Sequence, residues 1–252
     1  MTEPDALVAR LRAAGCVFAE DEAALLISAT TDAGELESLV ARRVSGEPLE
    51  YVLGWAEFAG LRLAVAPGVF VPRRRTELLL ELATAATPTA LLEVCCGVAP
   101  VATAVKMRMP EGSVIASDLD PAAVAVARRN LEPRGGTVVA GDLFGGLPPG
   151  ARFDVIAANA PYVPTAELVN MPREAREFEH PLALDGGDDG LALHRRIAAE
   201  AGAWLAGGGV VLVETSRRQA SVDLKIFETQ GWRVEVVTDD ELDATAVRAA
   251  RD

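Results

Sequence analysis

The sequence is short of the residue types that usually carry metal and redox chemistry. Among 252 residues there are three cysteines and two histidines. The histidines, His180 and His194, lie far from the cysteines, and the cysteines have neither a disulfide framework nor a metal-ligand spacing. We therefore expect no metal site. We interpret the adjacent Cys95 and Cys96 as small buried residues rather than a redox pair.

Long hydrophobic runs and basic charge are also scarce. No apolar run approaches the ~20 residues that a membrane span needs, and the first residues lack the basic and apolar regions of a signal peptide. We therefore expect a cytoplasmic protein with no membrane partner. The formal net charge is −13. A protein that binds a phosphate backbone usually carries a basic face, so we expect no direct nucleic-acid contact.

Strand-like and helix-like segments alternate through most of the chain. This alternation predicts an α/β fold with a doubly wound, mostly parallel sheet and helices on both faces. The predicted strands cover 90–94, 113–117, 136–140, 154–158, 209–214 and 232–237. A last apolar run at 245–249 is interpreted as an edge strand.

The N-terminal part has a different pattern. Residues 1–50 contain three stripes of apolar residues at helical spacing, which predict a small helical subdomain docked on something larger. Residues 51–74 contain short extended pieces punctuated by glycine, which predict a β-hairpin linker. Residues 75–252 make up the predicted α/β domain.

Acidic residues mark the ends of the first predicted strands. Glu93 lies near the end of the first strand and precedes a loop of small residues and a helix, the arrangement by which an α/β sheet admits a nucleoside. The loop residues that we expect at a cofactor are Cys95, Cys96, Gly97 and Ala99. A single glycine is weak support, because small residues also form ordinary strand-to-helix turns.

The next two strands end in aspartates. Asp118 lies about 20 residues after the loop, where a carboxylate can accept both hydroxyls of a ribose. Asp120 precedes a proline and is the better helix cap, so Asp118, with Leu119 beside it, is left to face a ligand. After the third strand, Asp142 could accept an adenine amino group while Leu143 packs on the ring. The alternative there is an ordinary turn.

The fourth strand ends in the tetrad Asn159-Ala160-Pro161-Tyr162. Asn159 offers a donor and an acceptor, the carbonyl of Ala160 can accept a second N–H, and Tyr162 can cover a flat face. The tetrad therefore suits a planar amide or amino group. The alternative is a strand followed by a Pro-Tyr turn.

Together, the three acidic strand ends and the tetrad resemble a class I S-adenosylmethionine-dependent methyltransferase that methylates amino groups. A dinucleotide dehydrogenase fits less well, because the loop lacks a G-x-G-x-x-G pattern and the tetrad has no task in hydride transfer. A DNA amino methyltransferase shares the tetrad, but the acidic net charge and the absence of a target-recognition domain count against it.

Motifs outside the tetrad give a narrower resemblance. They lie at 42–54, 58–60, 67–77, 183–191 and 213–219. They include Pro67-Gly68-Val69-Phe70-Val71-Pro72-Arg73 and Val213-Glu214-Thr215-Ser216-Arg217-Arg218-Gln219. These motifs resemble the HemK/PrmC family of protein-(glutamine-N5) methyltransferases, which modify peptide-chain release factors.

The resemblance implies a Rossmann-like methyltransferase that uses S-adenosyl-L-methionine and releases S-adenosylhomocysteine. The implied partner is a release factor or another protein that bears the target glutamine. Asn159 and the carbonyl of residue 160 would hold the glutamine amide, with Tyr162 stacked beside it. Asn159 is also expected to border the cofactor. Pro161 completes the tetrad, which in the family usually reads Asn-Pro-Pro-Tyr.

Two alternatives stay open at the level of the sequence. One is an amino or amide methyltransferase of a small secondary metabolite, and the other is a divergent relative with impaired cofactor binding. The second arises because Gly97-Val98-Ala99-Pro100 stands in place of a glycine-rich loop. A positive φ at residue 98 or 99 would cost ~1–2 kcal/mol each. The triplet Arg73-Arg74-Arg75 either grips the cofactor carboxylate or an acidic partner, or is solvated charge.

Overall fold

A computed structural model describes residues 4–251 of the chain. Residues 1–3 and 252, at the outer ends of the predicted first and third units, lie outside the described residues. The helices are α1 (Pro4–Ala13), α2 (Ala19–Ala29), α3 (Ala33–Val44), α4 (Leu49–Leu53), α5 (Glu77–Ala85), α6 (Pro100–Arg108), α7 (Pro121–Leu131), α8 (Arg173–Phe178), α9 (Ala192–Glu200) and α10 (Ala220–Thr229). The strands are β1 (Trp55–Phe58), β2 (Leu61–Ala64), β3 (Ala90–Val94), β4 (Ser113–Asp118), β5 (Thr137–Ala140), β6 (Phe153–Ala158), β7 (Leu205–Glu214), β8 (Arg233–Asp239) and β9 (Ala244–Ala250).

Seven strands form the central sheet in the order β5-β4-β3-β6-β7-β9-β8. Neighbouring strands from β5 to β7 pair in parallel, while β9 runs antiparallel to both β7 and β8. The predicted doubly wound, mostly parallel fold is confirmed. The chain winds outward from β3 to β5 and then returns to place β6 on the other side of β3. The carboxyl ends of β3 and β6 therefore flank the switch point, where open α/β sheets bind ligands.

The prediction of an edge strand at 245–249 was wrong. β9 lies between β7 and β8, and six of its seven residues are buried. β8 forms the edge of the sheet instead, with an exposed or half-buried pattern. The order of strands in space depends on the β8–β9 hairpin folding back onto β7. Local apolar patterning carries no information about that step.

Within the described residues, four helices and a hairpin precede α5 and the central sheet. α1 to α4 pack around the fully buried side chains of Leu7, Leu11, Leu26 and Val40. β1 and β2 form an antiparallel hairpin, which α7 holds through two hydrogen bonds between the Asn130 side chain and the backbone of Ala64. α4 extends to Leu53, beyond the predicted boundary at residue 50. The division into units at residues 50 and 74 stays a prediction.

The helices of this fold are short. Within residues 4–251, none is both long enough and apolar enough to cross a membrane.

Candidate active site

A cleft of about 490 Å³ opens at the carboxyl ends of β3, β4 and β6. It brings together most of the residues that the sequence predicts for a site. Those that line it are Glu93, Cys95, Cys96, Gly97, Asp118, Leu119, Asp142, Leu143, Asn159, Ala160, Pro161 and Tyr162. Ala99 is the exception among the predicted residues, because it is fully buried behind the cavity wall at the start of α6.

The loop between β3 and α6 has three residues with left-handed backbone. Cys95, Gly97 and Ala99 have φ of 52°, 54° and 59°. Ala99 therefore has the positive φ that we considered from the sequence, whereas Val98 does not. Cys95 is a further strained position, which the sequence did not indicate. Hydrogen bonds support this shape, since the Ala99 N–H donates to the Cys96 carbonyl at 2.7 Å and Asn130 donates to the Val98 carbonyl at 2.9 Å.

Glu93 lies behind this loop and faces the start of α6. Its two carboxylate oxygens accept hydrogen bonds from the N–H groups of Val101, at 3.3 Å, and Ala102, at 2.6 Å. These N–H groups belong to the first turn of the helix and have no partner within it. Burial raises the pKa of Glu93 to about 8, although the two backbone donors oppose the shift. Glu93 therefore shapes the loop by fixing the helix that ends it.

Asp118 holds the other side of the loop. One of its oxygens accepts from the Gly97 N–H at 2.8 Å, and the other accepts from the Asp120 N–H at 2.9 Å. Asp120 caps α7 by accepting from the Ala122 N–H at 2.8 Å, as the sequence predicts. Burial raises the pKa of Asp118. Each of its oxygens retains acceptor capacity, which a ligand with two hydroxyl donors can use.

Asp142 and Leu143 occupy the third strand end. Asp142 already accepts a hydrogen bond from Arg196 of α9 at 2.9 Å, and its side chain is about half exposed. Leu143 is buried with a φ of 52°, and its carbonyl accepts from the hydroxyl of Ser117 at 3.0 Å. A ligand amino group at this strand end would share Asp142 with the Arg196 guanidinium.

The cysteine pair has no reactive character. Cys96 is buried, Cys95 is partly buried, and neither is in a disulfide. Burial raises the pKa of both thiols, so they stay neutral near pH 7. Both observations agree with the interpretation of Cys95 and Cys96 as small residues in a turn.

The backbone around the tetrad is held by the segment between α8 and α9 and by the Gln219 side chain, which lies just before α10. The Gly186 N–H donates to the Val163 carbonyl at 2.8 Å, and the Gln219 side chain donates to the Tyr162 carbonyl at 2.9 Å. Gly190 packs so closely that an added Cβ would lie 2.3 Å from the Tyr162 carbonyl oxygen. A glycine is required there because no side chain fits against that backbone.

A chain of hydrogen bonds joins the two polar side chains of the tetrad. Asn159 donates through its NH2 to the Thr76 hydroxyl at 3.1 Å, and Thr76 donates to Glu214 at 2.7 Å. The Tyr162 hydroxyl donates to the other oxygen of Glu214 at 3.2 Å. Burial and the negative charge of Glu214 raise the pKa of Tyr162. Burial also raises the pKa of Glu214, while the Thr76 hydroxyl and the charge of Arg75 oppose that shift.

Sequence reasoning missed Thr76, Glu214 and Gln219 as parts of the site. In the sequence Thr76 has the pattern of a helix start, and no periodicity relates it to Glu214. The available signal was their position inside the motifs at 67–77 and 213–219 that carry the family resemblance.

Within the arginine triplet, Arg73 is half-buried, whereas Arg74 and Arg75 are exposed. Arg73 pairs with the buried Glu179 at 2.5 Å and lies 5.0 Å above the ring of Phe70, so it is not simply solvated. Arg73 and Arg75 both line the cleft. Two arginine side chains therefore form part of the cavity wall, and one of them is paired with Glu179.

Comparison with known proteins gives consistent relatives. The methyltransferase small domain family matches residues 60–175. A release factor glutamine methyltransferase of Geobacter sulfurreducens is 41% identical, over 77% of this chain and 69% of its own length. A protein of the same description from Mycolicibacterium smegmatis is 33% identical over 99% of this chain and 98% of its own length. The 4-amino-L-phenylalanine/4-methylamino-L-phenylalanine methyltransferase of Streptomyces pristinaespiralis is 34% identical over 77% of this chain and 70% of its own length.

Solved structures share the fold at low identity. A methyltransferase from Pyrococcus furiosus superposes with a TM-score of 0.57 and 17% identity, covering 83% of this chain and 95% of that one. The T. thermophilus 16S rRNA N2 G1207 methyltransferase, solved with AdoMet and guanosine, has a TM-score of 0.53 and 18% identity, over 79% of this chain and 50% of that one.

Proposed function

The chain belongs to the family of release factor glutamine methyltransferases, and on this premise we propose that it methylates the side-chain amide of a glutamine in a peptide-chain release factor. The methyl donor in this proposal is S-adenosyl-L-methionine, and S-adenosylhomocysteine is the product. One observation carries the proposal. A single cavity runs from the acidic strand ends to the tetrad, so a donor at one end and an amide at the other can meet.

The donor end of the cavity fits an adenosyl group. The cavity as a whole has a volume of about 490 Å³, within the range for small-molecule sites. Asp118 presents acceptors for the ribose hydroxyls, and Leu119, with 58% of its surface exposed, offers an apolar face beside it. Leu143 and Asp142 would border the adenine. The loop residues 95–97 would lie along the remainder of the molecule. When bound, the cofactor supplies an activated methyl group.

The acceptor end fits a primary amide. The Asn159 side-chain oxygen and the Ala160 carbonyl would accept the two amide hydrogens and orient the nitrogen. An amide nitrogen is a poor nucleophile because its lone pair is delocalised, so the contribution of the site is position rather than strong base catalysis. Tyr162 would pack on the flat amide, and the oxygen acceptors would favour the positive charge that develops on the nitrogen.

A small aromatic amine is the second candidate acceptor. The Streptomyces pristinaespiralis relative named for 4-amino-L-phenylalanine is 34% identical, within a point of the Mycolicibacterium smegmatis relative. The acceptor side of the cavity also includes Met171 and Leu182, and Leu182 is 61% exposed. An apolar wall of this kind accommodates an aromatic ring as well as a peptide segment.

The first experiment tests the donor end. Calorimetric titration with S-adenosylhomocysteine is made on the wild type, on Asp118→Ala and on the control Asp21→Ala, whose carboxylate is exposed on α2. We expect micromolar binding by the wild type and the control, and loss of binding by Asp118→Ala. No binding by the wild type up to millimolar concentration would identify a relative that has lost its cofactor site.

The second experiment separates the acceptors. The protein is incubated with the donor and either full-length release factor or free 4-amino-L-phenylalanine, and mass spectrometry locates the methyl group. A release factor whose target glutamine is replaced is the control. Methylation of that glutamine supports the proposal, and methylation of the free amine alone favours the second candidate. No transfer to either acceptor, with the cofactor bound, would contradict both.

A further inference from the structure

We propose that Glu214 and Thr76 are positioning residues that fix the orientation of the Asn159 carboxamide, so that its oxygen faces the methyl acceptor. The inference deepens the proposed function and rests on it for the identity of the acceptor. Neither residue needs to touch the substrate. Their effect is transmitted to the acceptor through Asn159 and Tyr162.

The two residues lie under the tetrad and are shielded from water. Thr76 is 1% exposed and Glu214 is 3% exposed. They come from separate parts of the fold, Thr76 from the turn that precedes α5 and Glu214 from the end of β7. The contact between them is a 2.7 Å hydrogen bond across 138 residues of chain. Hydrogen bonds in such a dry environment hold their partners in a single arrangement.

Counting hydrogens determines which way the Asn159 amide points. With Glu214 ionised, its carboxylate accepts hydrogen bonds and cannot donate them, so the 2.7 Å contact requires the Thr76 hydroxyl to donate its only hydrogen to Glu214. The Thr76 oxygen is then an acceptor for its other neighbour. The Asn159 atom 3.1 Å away must therefore be its NH2 group. The amide oxygen lies on the other side of the planar group and is left for the cavity that Asn159 lines.

The same carboxylate also orients Tyr162. The tyrosine hydroxyl has one hydrogen, and it donates that hydrogen to the second oxygen of Glu214 at 3.2 Å. Both oxygens of Glu214 therefore accept from a hydroxyl, which matches an ionised carboxylate, whereas a protonated carboxyl group would direct its own hydrogen to one of these two neighbours. Burial raises the pKa of Glu214, and the hydroxyls of Thr76 and Tyr162 together with the positive charge of Arg75 oppose that shift by favouring the ionised form. One buried charge thus sets the two side chains that would flank the acceptor.

The orientation matters because the acceptor nitrogen is itself a donor. A glutamine amide or an amine presents N–H groups, and only the oxygen of Asn159 can accept them. With the carboxamide reversed, two donors would face each other and the nitrogen would be pushed out of line. Misplacement of the reacting atoms lowers the rate of the chemical step more than it lowers binding.

The test compares Thr76→Val, which removes the hydroxyl at nearly constant volume, with Thr76→Ser, which keeps it. Turnover, KM for the acceptor and the dissociation constant for S-adenosylhomocysteine are measured for each. We expect Thr76→Val to lose roughly 10-fold in kcat with little change in KM or cofactor binding, and Thr76→Ser to recover most of the loss. Glu214→Gln should lose at least as much, because its NH2 group must donate to one of the two hydroxyls.

A second readout does not depend on activity. The exchange rate of the Asn159 side-chain NH2 protons is measured by 15N NMR, with Asn159→Ala to assign the signal. We expect slow exchange in the wild type and Thr76→Ser, and faster exchange in Thr76→Val. If the wild type methylates neither acceptor, the proposed function fails while this measurement still decides the orientation.

Three results would overturn the inference. They are unchanged turnover in Thr76→Val, equal impairment of the valine and serine variants, and equal exchange rates in all three proteins. A residue that served only to stabilise the fold would lower the melting temperature of Thr76→Val without separating kcat from KM.

Discussion

Arg43 of α3 donates a hydrogen bond to Glu174 of α8 at 2.6 Å and joins the N-terminal helices to the segment that follows the tetrad. The same guanidinium pairs with the buried Glu22 of α2 at 2.6 Å. Arg43 itself is 9% exposed. Its interaction with the two carboxylates raises the pKa of Arg43, so the charge is permanent. The N-terminal helices are therefore tied to α8 through one guanidinium, which has a buried partner in Glu22 and a half-exposed partner in Glu174.

Removal of this guanidinium should destabilise the protein strongly. Arg43→Leu leaves the carboxylate of Glu22 buried without a partner, which in comparable cases costs about 3–5 kcal/mol. The matched control is Arg10→Leu, because Arg10 pairs with Glu37 at the surface, where the two side chains are 40% and 54% exposed. We expect the control to change the free energy of unfolding by less than ~1 kcal/mol. Urea unfolding of both variants measures the difference, and equal losses would contradict the prediction.

Gly190 should be intolerant of any side chain. Its φ of 79° is itself unfavourable for alanine, and the added Cβ would lie 2.3 Å from the Tyr162 carbonyl oxygen and 2.5 Å from Gln219 Nε2. Gly150→Ala is the matched control, because its φ is 81° and no atom lies within 4 Å of the added Cβ. Both variants should lose about 1 kcal/mol from backbone strain. Only Gly190→Ala should also lose turnover, and equal turnover in the two would contradict the contact argument.

Glu93 should lower the free energy of unfolding as pH rises, the opposite of the usual effect of a carboxyl group in a folded protein. Its pKa rises from the usual 4.5 to about 8 in the folded protein, mainly through burial. Between these values the folded state keeps a proton that the unfolded state has lost, so this group destabilises the fold as pH rises through that range. Glu93→Gln cannot ionise. Its stability relative to the wild type should therefore increase from pH 4.5 to 8 by a few kcal/mol, since one pKa unit is about 1.4 kcal/mol.

Thermal or urea unfolding of the two proteins across this range tests the prediction. Other carboxylates titrate in both proteins and cancel in the difference. Parallel stability curves would mean that Glu93 stays ionised throughout, held by the N–H groups of Val101 and Ala102.

The sequence predicted most of the fold, and all but one of the predicted site residues line the same cleft. Asp118 could be singled out because Asp120 and the following proline already account for the helix cap, and the structure confirms that cap. Short apolar runs located the strands, because a parallel strand that is buried on both faces has nearly continuous apolar residues. Once the strands are located, their carboxyl ends are known as well. The clustering of the residues at these ends could therefore be predicted together with the strands.

Contacts between residues far apart in the chain could not be predicted from local sequence patterns. Thr76 and Glu214 look like a helix start and a strand end, and only folding brings them 2.7 Å apart. The position of β9 between β7 and β8 was missed for the same reason, since the composition of an alanine-rich strand does not indicate which strands it will pair with. The strained Cys95 was missed because left-handed backbone is expected at glycine and rarely at other residues.

Substitutions of Asn159 and of Asp118 should have different effects, the first on kcat and the second on cofactor affinity. Asn159→Ala removes an acceptor that the proposal assigns to the reacting amide, so kcat should fall by roughly 100-fold, as for loss of an oxyanion-type contact, with S-adenosylhomocysteine affinity nearly unchanged. Asp118→Asn keeps the shape but loses the charge that two hydroxyls would use, so affinity should fall about 10-fold or more. Calorimetry and turnover on both variants measure the split. The proposed roles would be wrong if Asn159→Ala kept wild-type turnover, or if Asp118→Asn bound cofactor normally, because each residue would then lack the contact assigned to it.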